Sequence, residues 1–265
     1  MVLQGCLVAK DAAFNLRDFL ETSSPLAFLA VKDCEKELDR MERTIDETIT
    51  GAITGVSEVE ARELLACLKF IIDLERIGDL AWSIAQRLHR LTSKLLRDDS
   101  RDLIGMAEIL EKMLEAVYDG FLRRDLQSAA WVRQTDSDMD QACSMMFRRH
   151  LESGDRRRRD YSTSLLLMAQ AMERAGDHAK NLGEELVHLV EGRSVRHEPK
   201  RPGPKRRSRQ SMPAALPQPG DGRDSAKQPA PGRPAAGVRR DSGRRRLTRM
   251  GSDGAEPEDG ADDRA

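Results

Sequence analysis

Aromatic side chains are scarce in this sequence, with six Phe, two Tyr and two Trp making up 4% of 265 residues. That scarcity argues against a large β-rich core. Long apolar runs are missing as well. None reaches the ~18 residues needed to cross a bilayer, so the expectation is a soluble body without membrane insertion. Cysteine is sparse, and the four residues Cys6, Cys34, Cys67 and Cys143 show no CxxC spacing. Each lies in an apolar helical context, which points to reduced, buried thiols in a cytoplasmic protein. The stretch "LQGC" has the look of a lipoprotein box, but only five residues precede Cys6. They leave no room for a charged and an apolar leader region. Catalytic motifs are lacking too: there is no GxxxxGK[ST] loop, GxSxG elbow or HExxH pair, and no enzyme activity is expected.

What is present favours helix. Leu, Ala, Glu, Arg and Met dominate the first two-thirds of the chain. From Glu198 onward there are 16 Lys/Arg against 10 Asp/Glu, which leaves 28 basic and 35 acidic residues before it. The net charge of -1 therefore hides an acidic body and a basic tail. Helical periodicity predicts six helices before His197: 2–21, 25–50, 57–92, 102–122, 126–150 and 161–191. Ser24 precedes Pro25 as an N-cap, Ser57 and Glu60 form a capping box, and Gly192 follows the last helix as its C-cap. Gly51 and Gly55 are expected to break the second helix.

The six helices read as two copies of one three-helix unit. Phe70, Leu74, Ile77, Ala81, Ile84, Leu88 and Leu91 step alternately by four and three, and Met168, Met172, Ala175, Ala179, Leu182, Leu186 and Leu189 repeat those steps 98 positions later. Six of the fifteen residues in 74–88 match 172–186, where chance gives roughly one. Val31, Cys34, Leu38, Met41 and Ile45 correspond to Val132, Thr135, Met139, Ala142 and Met146 at an offset of 101. Such stripes are the seams of bundle packing. The fold class is all-α: a tandem repeat of two three-helix bundles, 1–96 and 97–197, followed by a tail at 198–265. The tail, rich in Pro, Gly and Arg, has too few large apolar residues to offset the entropy of ordering and is expected to be disordered.

Each unit also repeats a costly feature. Glu75 and Asp79, like Glu173 and Asp177, stand one helical turn apart with Gly78 or Gly176 between them. Like charges at that spacing repel by roughly 0.2–0.5 kcal/mol, and a helical glycine costs about another 0.8–1 kcal/mol. Matching pairs lie on the preceding helices, Glu35 with Asp39 and Asp136 with Asp140. At 100° per residue the first two pairs fall roughly 140–180° from their own seam and the others about 80–120°. This puts them on the outer face and the flank, where each unit offers two [E/D]xxxD pairs on adjacent helices. Facing carboxylates are oxygen ligands for hard or borderline cations such as Mg, Mn, Fe or Zn, and the glycines permit close approach of a ligand or a neighbouring backbone.

The phrases "DLERIGDLAWSIAQRL" and "AMERAGDHAKNLGEELVHLVEGRSVRH" resemble the two signature helices of the PhoU family, bacterial regulators of phosphate uptake. The resemblance spans about residues 5–197. It implies tandem three-helix bundles and an [E/D]xxxD motif that binds multinuclear metal clusters, falling here on Glu35, Asp39, Glu75, Asp79, Asp136, Asp140, Glu173 and Asp177. It further implies negative regulation of phosphate uptake and phosphate-starvation signalling by contact with the phosphate ABC transporter ATPase subunit and a phosphate-sensing histidine kinase. A homodimer is the expected assembly.

Two other functions compete. A ferritin-like storage or redox protein also uses bundle carboxylates, but it needs inward Glu-x-x-His pairs, and here Glu173 and His178 are five apart. A nucleic-acid-associated protein could act through the tail, where residues 200–249 carry 15 Lys/Arg against three Asp/Glu. That tail has no aromatic residues to stack bases, which disfavours nucleic acid as a partner. Arg76 and Arg174 flank the acidic pairs, and Arg156 to Arg159 form a basic loop suited to a solvated turn.

Overall fold

A computed structural model describes residues 1–91, 94–152 and 159–192. Six helices account for nearly all of them: α1 Val2–Thr22, α2 Pro25–Ala52, α3 Glu58–Arg90, α4 Arg97–Arg123, α5 Leu126–Glu152 and α6 Arg159–Glu191. No strand occurs among the described residues. The expected caps form. The Ser24 hydroxyl accepts from the Ala27 N–H at 3.4 Å. Ser57 and Glu60 exchange both bonds of a capping box, and Gly192 closes α6 at φ +70° with its N–H on the His188 carbonyl.

Most helix ends fall within two residues of the expected ones, and two boundaries are informative. α2 runs through Gly51 to Ala52 and ends in a single 3-10 turn at Ile53–Gly55, because a helical glycine costs only about 1 kcal/mol and need not terminate a helix. α4 begins at Arg97, one turn earlier than periodicity suggests. That extra turn is held from a distance. Asp99, 1% exposed, accepts from Tyr161 Oη at 2.7 Å and Arg149 Nη2 at 2.6 Å, with His150 Nε2 at 3.0 Å. Arg156 to Arg158 and the tail at 198–265 lie outside the described residues, as does the side chain of Arg159, whose backbone opens α6 rather than belonging to the expected loop.

The repeat extends to the turns. α1 ends on Ser23 in the left-handed region (φ 57°), and α4 ends 101 residues later on Arg124 (φ 56°). At the next position Ser24 caps α2 and Asp125 caps α5, the latter accepting from the Gln127 and Ser128 N–H groups at 2.9 and 3.1 Å. These matching corners send α2 and α5 back along their neighbours. Within the halves, α1 packs on α2 and α3, while α4 packs on α5 and α6. Between the halves two helices meet their own counterparts, α1 on α4 and α3 on α6. One hydrophobic core therefore runs through both repeats.

The seam residues Phe70, Leu74, Ile77, Ala81 and Ile84 of α3, and Met168, Met172, Ala175, Ala179, Leu182 and Leu186 of α6, are buried as the periodicity predicts. Polar pairs fix the α3–α6 register: Lys69 Nζ reaches Glu185 at 3.0 Å, and His178 Nδ1 lies 2.8 Å from Asp73 Oδ1. The four cysteines are free thiols, with Cys6 and Cys143 buried and Cys34 and Cys67 half-buried. No described helix is long and apolar enough to cross a membrane.

Candidate metal centre

Small residues bring α2 against α3. A Cβ on Gly78 would lie 2.6 Å from Leu38 Cδ1 and 3.6 Å from the Glu35 Cα, so the helix bearing the first acidic pair sits where an alanine would collide. On α6, a Cβ on Gly176 would meet Met139 Cγ at 3.0 Å. Leu38 and Met139 are repeat equivalents. Both glycines therefore serve close approach of a neighbouring helix, and that approach draws the acidic pairs together.

In the first repeat the α2 and α3 carboxylates converge. Carboxylate oxygens of Asp39, Glu42 and Glu75 all lie within 4.8 Å of one another. Burial, followed by the charges of Asp39 and Asp79, raises the Glu35 carboxyl above its ordinary value. Glu75 is pushed up to about 7, by burial first and then by Asp79, with Glu42 and Asp39 adding to the rise against the opposing Arg76 guanidinium. Five carboxylates thus share one groove. Arg43 pairs with Asp39 at 2.6 Å, and Arg76 with Asp79 at 3.2 Å, from the solvent side.

Glu75 corrects the expectation of an outer face, because it is only 7% exposed. A helical wheel locates a residue relative to its own seam, whereas α3 is covered on further sides by α2 and α6. Asp136, expected on a helix flank, is likewise enclosed at 1% exposure. Glu42 was missed by sequence reasoning. It stands three residues after Asp39 and so shares its face, but its repeat equivalent is Cys143, and a search for repeated acidic pairs passes over it.

The second groove uses the same positions with different chemistry. Lys180 Nζ lies 2.8 Å from Asp136 Oδ2 and 3.7 Å from Asp177 Oδ1. Partial burial pulls the Lys180 ammonium down, yet the Asp136 hydrogen bond and the charges of Asp136, Asp177 and Asp140 carry it above the ordinary lysine value. Cys143 donates its thiol hydrogen to Glu173 Oε2 at 3.4 Å. Burial, then the Glu173 and Asp140 carboxylates, push that thiol up to about 12, far from the thiolate needed for strong metal binding. All eight residues named from the sequence fall on these two grooves. His178 belongs to neither contact set and pairs with Asp73 across the α3–α6 seam.

The first groove fits a hard cation. Glu75 Oε2 is sealed from solvent and makes no hydrogen bond, and Arg76 Nε, 3.4 Å away, pairs with it by charge alone. A buried carboxylate oxygen without a hydrogen bond is costly, and next to Asp39 and Glu42 it forms the all-oxygen donor set preferred by Mg2+ or Mn2+. Asp39, Glu42 and Glu75 would hold such an ion, with Glu35 and Asp79 beside them.

Together the tandem three-helix repeats and their paired acidic grooves define a class of all-helical, two-repeat carboxylate proteins. The sequence model of the PhoU domain matches residues 7–88 and 103–186, one match per repeat. The chain belongs to the PhoU family. It is 32% identical over 190 residues to the phosphate-specific transport system accessory protein PhoU homolog of Caulobacter vibrioides, covering 70% of this chain and 82% of that protein. It is 28% identical over 204 residues to the protein of the same description from Pseudomonas aeruginosa, covering 74% and 83%. The crystal structure of PhoU from Pseudomonas aeruginosa superposes with a TM-score of 0.66 at 25% identity, over 72% of this chain and 94% of that one. A phosphate transport system regulatory protein PhoU from Streptococcus pneumoniae shares the fold, with a TM-score of 0.67 at 20% identity over 73% and 93%.

Proposed function

We propose that this protein is a cytoplasmic negative regulator of phosphate uptake and phosphate-starvation signalling. The observation that carries this reading is membership of the PhoU family over both repeats, together with relatives described as accessory proteins of the phosphate-specific transport system. Regulation runs through contact with the ATPase subunit of the phosphate transporter and with a phosphate-sensing kinase. Such contact acts by binding one conformation of the partner better than another, which shifts its equilibrium without chemistry of its own. The protein works as a homodimer, and long helical faces offer a broad surface for docking.

The first groove adds a control on that surface. A divalent cation bound there would supply positive charge to offset the crowd formed by Glu35, Asp39, Glu42, Glu75 and Asp79. Asp39, Glu42 and Glu75 would hold it, Gly78 keeps α2 close enough for them to meet, and Arg76 and Arg43 balance the rim. The charge presented to a partner then depends on occupancy of the groove.

Deletion tests the function directly. Cells lacking the protein should express phosphate-starvation genes in high phosphate and accumulate more intracellular phosphate. A folded Glu75→Gln, Asp39→Asn variant should reproduce part of that phenotype. Unchanged uptake and unchanged phosphate-responsive expression after deletion would overturn the regulator reading.

A further inference from the structure

The two grooves occupy equivalent positions, and two of the residues at which they differ bear on ion binding. Glu42 of the first is Cys143 in the second at the offset of 101, and Trp82 of the first is Lys180 in the second at the offset of 98. Trp82 turns to an aromatic cluster, its ring 4.9 Å from Phe28 with Lys32 Nζ 5.9 Å from its centroid. Lys180 instead reaches into the acidic pairs and joins Asp136 of α5 to Asp177 of α6.

The cations serving the two grooves also differ in kind. Arg43 and Arg76 have side chains 72% and 53% exposed, and each pairs with an Asp on its own helix. Exposed pairs of that sort are weak and readily rearranged. Lys180 is 25% exposed, and its partner Asp136 is enclosed on a different helix. A buried carboxylate strongly resists loss of its cationic partner, because the uncompensated charge stays in place.

We propose that Lys180 is the built-in cation of the second groove and excludes a divalent ion from it, leaving ion binding to the first groove. The proposal rests on the reading of the first groove as a cation site. The ammonium lies between Asp136 of α5 and Asp177 of α6 and pairs by charge with the enclosed Asp136 in advance. A divalent ion entering there must compete with an ammonium already held 2.8 Å from the enclosed Asp136. The replacement of a carboxylate by the Cys143 thiol removes a further oxygen donor and weakens the second groove for Mg2+ or Mn2+ in the same direction. The repeats thus divide one ancestral arrangement into an ion-dependent half and an ion-independent half.

Manganese titration of the full chain, read as bound Mn2+ per chain after stripping with chelator, separates the alternatives. Wild type should bind Mn2+ in a way that Glu75→Gln abolishes and Asp136→Asn leaves unchanged. Lys180→Met should gain additional Mn2+, and Asp136→Asn in that background should remove the gain. Without Mn2+ the Lys180→Met protein should melt below wild type, and Mn2+ should restore the difference even when Glu75→Gln is also present. A drop in wild-type stoichiometry caused by Asp136→Asn overturns the proposal, and this arm needs no folded Lys180 variant. A folded Lys180→Met protein that binds no extra Mn2+ overturns it as well. Wild type that binds no Mn2+ beside a Lys180→Met protein that does would sustain the role of Lys180 and sink the reading of the first groove.

Discussion

Glu75→Gln keeps the volume of the side chain and removes its charge, and the metal-free protein should respond in a pH-dependent way. Burial and the charges of Asp79, Glu42 and Asp39 raise the folded carboxyl from its ordinary 4.5 to about 7. Below pH 4.5 Glu75 is protonated in both folded and unfolded chains, and the stabilising contribution of the bound proton is fully present. Between those values the unfolded chain releases the proton while the folded chain keeps it, so stability falls as pH rises and the contribution is lost above about 7. At about 1.4 kcal/mol per pH unit, the full loss is roughly 3 kcal/mol. Glutamine does not titrate. The variant should therefore track wild type near pH 4 and become more stable by up to roughly 3 kcal/mol at pH 8. Urea unfolding with chelator present, followed by helical circular dichroism across this range, measures the difference while titrations common to both proteins cancel. Saturating Mn2+ should invert the order at pH 8, because the ion favours the ionised carboxylate. A difference that stays flat from pH 4 to pH 8 would refute the placement of Glu75 in a desolvated, charge-crowded groove.

Two further substitutions probe the frame around the grooves. Gly78→Ala should destabilise by about 1–2 kcal/mol, since the new methyl drives into the packed Leu38 side chain. Gly176→Ala, meeting Met139 at 3.0 Å, should be close to neutral because the gain of about 1 kcal/mol in helix propensity offsets a milder contact. Equal thermal shifts for the two would refute the difference in helix spacing. Asp99→Asn should cost roughly 3 kcal/mol by leaving Arg149 and His150 without their shared carboxylate. Although burial alone raises the Asp99 carboxyl, the bonds from His150, Tyr161 and Arg149 hold it below the ordinary value. The stabilisation is therefore present above the usual aspartate range and lost as pH falls through the folded value, and Asp99→Asn should flatten acid unfolding.

The helices, caps and repeat were legible in the sequence because each is a short-range matter. Ser57 and Glu60 are three residues apart, and a seam is visible in the spacing of apolar side chains. The acidic pairs were legible for the same reason, since a one-turn spacing shows them and the repeat sets them apart from an ordinary charged surface. What escaped depends on third parties. Glu75 is buried because α2 covers its face, which no wheel drawn on α3 contains. Lys180 stands three residues after Asp177, and its significance lies in Asp136 on another helix. Asp99 gathers partners 50 to 62 residues away, a distance at which no local pattern operates.

The packing of α1 on α4 and α3 on α6 has the form of an interface between two copies of one unit. In an association of identical chains every substitution is made twice, and a lysine that closes one groove closes both. Joining the two units in a single polypeptide removes that constraint: Trp82 and Lys180, or Glu42 and Cys143, are inherited independently although they occupy matching places. The shared core thus confers heredity without symmetry.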